Sequence, residues 1–158
     1  QLTTPPGRFS LLEKNNQLVV IDYAHTPAAL ENICNAVRAE YKDQFLIVVF
    51  GCGGDRDPSK RPLMGAAAEK YADLTIVTSD NPRSENPSQI ISEVVKGMKK
   101  NKLIEKDRAR AIELAMTYDI NKPTIIIIAG KGHESYQEIK GVKKEFSDFQ
   151  IVKEIWDR

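Results

Sequence analysis

Apolar residues fall along this chain in short blocks, and the period changes from block to block. Residues 9–13 and 18–22 are extended runs separated by Lys14-Asn15-Asn16-Gln17, a polar joint that predicts a hairpin. Thr26 can then cap a helix with Pro27 at its first position. Leu30, Ile33, Cys34 and Val37 recur at helical spacing and define its buried stripe. Residues 45–50 are apolar throughout, as expected of a strand covered on both faces. A glycine-rich loop, 51–58, leads to a second helix whose inner face is expected to hold Leu63, Met64, Ala67 and Tyr71.

The pattern continues with a strand over 74–78, a loop over 80–86, and a helix from Pro87 that buries Ile90, Ile91, Val94, Val95 and Met98. The lysine-rich span 96–106 is expected to be a solvated helix end and turn. Residues 107–118 predict a helix and 124–129 a strand. Ser147-Asp148-Phe149-Gln150 resembles a capping box for a last helix carrying Val152, Ile155 and Trp156. This alternation predicts an α/β fold: a Rossmann-like open, mostly parallel sheet with helices on both faces and an N-terminal β-hairpin. Ligands of such sheets bind beyond the carboxyl ends of the strands. The loops 51–58, 80–86 and 130–134 each follow a core strand and are expected to converge there. Residues 22–27 are a candidate fourth.

Composition narrows the function classes. The 158 residues suit one domain, and 23 basic against 22 acidic side chains give a net charge of +1. That balance offers no electrostatic argument for nucleic acid or an anionic membrane. No apolar run approaches the ~20 residues that span a bilayer, and the first residues lack the pattern of a signal peptide. Cys34 and Cys52 have no metal-ligand spacing, so no metal site and a reducing, cytoplasmic setting are expected.

The candidate chemistry sits in the loops. In Gly51-Cys52-Gly53-Gly54-Asp55-Arg56-Asp57 the glycines permit close backbone approach, and Arg56 can fork onto a carboxylate or phosphate. A tight turn with Arg56 paired to Asp55 or Asp57 is an equal alternative. The loop is neither a P-loop nor a dinucleotide fingerprint. In Asp80-Asn81-Pro82-Arg83 the rigid proline holds an amide and a guanidinium in a set geometry, suited to a ligand with a carboxylate and polar neighbours. A bend that caps the following helix is the plainer alternative. Gly130-Lys131-Gly132-His133-Glu134 offers Glu134 as a partner for a substrate ammonium, with a helix-cap or packing role for His133. Cys52 is expected to be a small neutral residue rather than a nucleophile.

Five segments in this order resemble the Mur ligase family across essentially the whole chain: Pro6-Gly7-Arg8-Phe9, Asp22-Tyr23-Ala24-His25-Thr26-Pro27, residues 51–61, Asp80-Asn81-Pro82-Arg83 and residues 130–136. Within that family the turn at 80–83 resembles the branch that adds meso-2,6-diaminopimelate in peptidoglycan synthesis. The resemblance implies an ATP- and magnesium-dependent amide-bond ligase that acts on UDP-MurNAc-L-Ala-D-Glu. Residues 1–158 would be its C-terminal amino-acid-binding domain, without the N-terminal and central ATP-binding domains. Such a domain would hold no catalytic residue and would not ligate alone. The resemblance further implies a diaminopimelate site of Arg56, Asp80, Asn81, Pro82, Arg83, Gly130 and Glu134. Arg8, Asp22 and His25 would face ATP, and the enzyme would be a cytoplasmic monomer. A lysine-adding Mur ligase, a folylpolyglutamate synthase and a stand-alone amino-acid-binding module are the rival readings.

Overall fold

A computed structural model describes residues 9–158. Strands β1 (Ser10–Lys14) and β2 (Gln17–Asp22) form the expected hairpin. Its two-residue joint, Asn15-Asn16, has φ of 53° and 64°, the left-handed pair that matches the twist of adjoining strands. The chain continues through α1 (Pro27–Glu40), β3 (Phe45–Phe50), α2 (Arg61–Glu69), β4 (Leu74–Val77), α3 (Pro87–Val95), β5 (Lys102–Ile104), α4 (Arg108–Met116) and β6 (Thr124–Ala129). It closes with a hairpin of β7 (Tyr136–Ile139) and β8 (Val142–Glu145), then α5 (Asp148–Trp156).

The main sheet has the order β1-β2-β6-β3-β4-β5, and only the β1–β2 pair is antiparallel. β6 (TIIIIA) lies at the centre and is buried at every position. Successive side chains of a strand point to opposite faces, and this parity divides the core in two. Val20, Val48, Phe50, Val77 and Ile127 pack with Leu30, Cys34, Met64, Ile91 and Val94 beneath α1, α2 and α3. Val19, Ile47, Val49, Ile76, Ile126 and Ile128 pack with Ala111, Ile112, Ala115, Met116 and Val152 beneath α4 and α5. Helices cover both faces, as the continuous apolar strands require.

Four local expectations change. Leu63 lies on the outer side of α2 and is 53% exposed, while Met64 and Ala67 are buried and Tyr71 half-buried. Residues 96–106 contain the edge strand β5, paired to β4, in place of a mere turn. The lysines there mask it because only three residues form the strand and two of them are exposed. The buried Glu69 carboxylate accepts the backbone N–H groups of Lys99 and Lys100, which ends the segment before β5. In the capping box, Ser147 accepts from the Gln150 N–H, but the Gln150 side chain donates to Glu154 instead of reaching back. The β7–β8 hairpin has no buried apolar face to advertise it; β7 is only partly buried and β8 is exposed at every position. Its Lys140-Gly141 joint, with φ of 52° and 77°, was the available signal.

Candidate functional site

The loops after β2, β3, β4 and β6 meet at one end of the sheet around a cleft of about 330 Å³. Tyr23 and His25 come from the first loop, and Gly51, Gly53, Arg56 and Lys60 from the second. The third supplies Asp80, Asn81 and Arg83, and the fourth Gly130 and Glu134. All four loops therefore converge, including the candidate at 22–27. Asp22 itself tightens its own turn: its carboxylate accepts the Ala24 N–H at 2.7 Å, and its carbonyl accepts the Gly130 N–H at 3.1 Å. Arg8 lies outside the described residues.

The 51–54 loop lies directly on the 78–83 segment. Any side chain at Gly51 would run into the Thr78 carbonyl, and one at Gly54 into the Pro82 carbonyl. Gly54 N–H donates to the Asn81 carbonyl at 2.8 Å, and Arg83 Nη1 donates to the Gly54 carbonyl at 2.9 Å. Arg83 sits at φ 52°, an uncommon backbone for a residue with a Cβ. The β7 strand clamps it there: Arg83 N–H donates to the Glu138 carbonyl and Lys140 N–H to the Arg83 carbonyl, at 3.0 and 2.7 Å. The turn at 80–83 does not cap the next helix. Asn86 does that, accepting the Ser88 N–H at 2.9 Å.

Arg56 is exposed and donates to the Asp55 carbonyl, not to the carboxylate of either neighbour. Pro82 is buried and shapes the turn through its backbone. His133 stacks on Phe149 with ring centroids 4.7 Å apart, as its packing reading expects. Burial, and secondarily Asp80, push the Cys52 thiol up to about 12, against a smaller lowering by Arg61. Cys52 is thus a protonated thiol at neutral pH, in line with its reading as a small neutral residue.

Three basic residues that hold the site together were not singled out from the sequence. Arg61, 2% exposed, donates to Glu85 and Glu93, each at 2.6 Å, and to the Gly53 carbonyl at 3.2 Å. Arg108 is fully buried and forks onto Asp148 with two bonds of 2.8 Å. Its remaining donors reach the Ser79 and Ala129 carbonyls, so it ties the ends of β4 and β6 together. Lys131, also fully buried, reaches Asn81, Asp80 and the Tyr136 carbonyl. Single charged residues in amphipathic or glycine-rich stretches look solvated on a sequence, and only tertiary contact shows otherwise. The extended apolar runs just before Ser79 and Gly130 were the one hint that cations nearby would be drawn inward.

Compared with known families, residues 7–132 match the family described as "Mur ligase, glutamate ligase domain". The chain belongs to the Mur ligase family. It is 54% identical over 153 residues to UDP-N-acetylmuramoyl-L-alanyl-D-glutamate--2,6-diaminopimelate ligase of Aquifex aeolicus (strain VF5), covering 95% of this chain and 31% of that protein. The enzyme of the same name from Chromobacterium violaceum is 53% identical over 140 residues, covering 87% of this chain and 28% of that protein. A solved structure under that enzyme name superposes with a TM-score of 0.90 at 42% identity, over 99% of this chain and 32% of that one. The Mur ligase chain described here thus spans about a third of the relatives it matches. A folylpolyglutamate synthase from Thermotoga maritima shares the fold, with a TM-score of 0.61 at 24% identity over 80% of this chain and 28% of that one.

Proposed function

We propose that this chain is the amino-acid-binding domain of an ATP-dependent ligase that joins meso-2,6-diaminopimelate to UDP-MurNAc-L-Ala-D-Glu. The observation that carries this reading is the arrangement of charge around one cleft. Arg56 and Arg83 stand on two of its loops, while Asp80 and Glu134 stand on the loops after β4 and β6. Diaminopimelate has two amino–carboxylate centres, so two arginines match two carboxylates and the acidic side matches the distal ammonium. Arg83 would take the distal carboxylate and Arg56 the other, with Glu134 and the Gly130 carbonyl on the distal ammonium. Asp80, Asn81 and Pro82 would hold the wall from which Arg83 projects. Lysine has no distal carboxylate and would leave Arg83 without a carboxylate to oppose its charge.

In this reading ATP phosphorylates the γ-carboxyl of the D-glutamate and ADP leaves. The free amine of the bound amino acid then attacks the acyl phosphate, and phosphate departs from the tetrahedral intermediate. The domain's part is to hold that amine in line with the acyl carbon, which removes much of the entropic barrier. Tyr23 and His25 at the cleft rim, with Asp22 behind them, would face the nucleotide, as would Arg8. Magnesium would neutralise charge on the phosphates. Its protein ligands would come from the ATP-binding part; among the described residues no group of three or more His, Cys, Asp or Glu side chains could hold a metal ion. No described helix is long and apolar enough to cross a membrane; the cytoplasmic, monomeric setting belongs to the proposal.

The test is ADP release by a ligase in which this domain is joined to its ATP-binding part. Release should require both UDP-MurNAc-L-Ala-D-Glu and meso-diaminopimelate, with kcat/KM at least about 100-fold above that for lysine, because a missing charged contact leaves buried groups unpaired. Equal use of lysine, or preference for glutamate, would overturn the reading.

A further inference from the structure

Lys131 is the least accessible charge at the cleft, at 0% exposure, and it is hidden from the ligand by the residues it contacts. Its Nζ donates to Asn81 Oδ1 at 2.8 Å and to the Tyr136 carbonyl at 2.9 Å. Asp80 Oδ1 lies 3.2 Å away and Glu134 Oε1 3.6 Å away. A buried ammonium survives only with its three donors matched and its charge opposed. Asp80 Oδ1 is itself buried and makes no hydrogen bond among the described residues, so the ion pair with Lys131 is what opposes its charge.

We propose that Lys131 is a positioning residue that sets the Asn81–Glu134 pair to receive the distal ammonium of the amino acid, a role that rests on the reading above. Two features argue for it. The first is orientation. Asn81 Oδ1 is occupied by Lys131 and by the Glu138 N–H at 3.0 Å, which turns Asn81 Nδ2 toward Glu134 Oε1 at 3.5 Å. Without Lys131 the Asn81 Oδ1 keeps only the Glu138 N–H, so the amide loses one of the two contacts that set which end faces Glu134. The second is charge. Asp80 and Glu134 contribute two negative charges and Lys131 one positive, leaving one negative charge in the cluster. The side chains of Lys131, Asp80 and Glu134 are 0%, 12% and 23% exposed, so the cation lies deepest and the carboxylates outermost. A single incoming ammonium completes that cluster, whereas two carboxylates without Lys131 would repel one another and relax apart.

The experiment is calorimetric titration of the chain and its Lys131→Met variant with meso-diaminopimelate and with 2-aminopimelate, which differs only in lacking the distal amine. Lysine serves as the reference for the carboxylate. Wild type should bind diaminopimelate about tenfold or more above 2-aminopimelate, the worth of one charge-assisted hydrogen bond. Lys131→Met should bring that preference to within about twofold, as should Glu134→Gln, and the double variant should lose nothing more. A general loosening of the fold would weaken both ligands alike and leave their ratio unchanged. If Lys131→Met does not fold, Lys131→Gln, which keeps a donor for Asn81 but not the charge, takes its place in the comparison. A folded Lys131 variant with the wild-type preference overturns the proposal while leaving the substrate reading standing. A wild-type chain that favours diaminopimelate over neither ligand overturns both.

Discussion

Arg108 and Asp148 form a fully buried ion pair with matched geometry, yet such a pair is not in itself a stabilising device. Bringing two charges out of water costs as much as their attraction returns, and the penalty appears when one partner is removed. Arg108→Met would leave the Asp148 carboxylate buried without its fork, and would release the Ser79 and Ala129 carbonyls that line up the ends of β4 and β6. Chemical denaturation should show a loss of about 3–5 kcal/mol for Arg108→Met. The apolar pair Arg108→Met with Asp148→Leu should recover most of it. A single variant as stable as wild type would show that the pair is not holding the strand ends. Sequence reading gave Arg108 and Lys131 no role of their own, because a buried cation is defined by its partners, and most of these lie 21 or more residues away.

Between elements, the glycines do what their neighbours' backbones require. Gly97, just beyond α3, lies so close to Pro62 at the start of α2 that a methyl group would meet the Pro62 carbonyl. Gly97→Ala should therefore lower stability by about 1–3 kcal/mol through overpacking, against the small gain expected of alanine in open space. Thermal unfolding of this single variant checks it; an unchanged or raised Tm would mean that α2 and α3 can separate at no cost. Elements with strong periodicity were legible: the apolar strands at 45–50 and 124–129, the proline-initiated α1, and the N-terminal hairpin all stand where the pattern put them. The short strand β5 and the polar β7–β8 hairpin were not, since neither buries a continuous face. That omission matters for the site. The hairpin clamps the main chain of Arg83, so part of what fixes the turn proposed to select the substrate comes from a segment without a hydrophobic signature.

For the molecule as a whole, parallel topology does most of the assembly. Strands that run the same way bring their carboxyl-end loops to one edge, and so the convergence of residues from 51–58, 80–86 and 130–134 followed from the strand pattern, with 22–27 as a candidate fourth. What the pattern could not give was the internal wiring, in which Arg61, Arg108 and Lys131 are spent on the scaffold while Arg56 and Arg83 face the cleft. Near-neutral overall charge concealed this division, because a net of +1 says nothing about where 23 basic side chains go. The central claim is that the cleft selects an amino acid with a distal carboxylate through Arg83. Its most direct test is titration of this chain and its Arg83→Ala variant with meso-diaminopimelate and with lysine. The account predicts that wild type favours diaminopimelate, and that Arg83→Ala weakens diaminopimelate at least about tenfold while lysine changes by less than about twofold. Undiminished diaminopimelate affinity in Arg83→Ala, or equal affinity of wild type for the two amino acids, would contradict it.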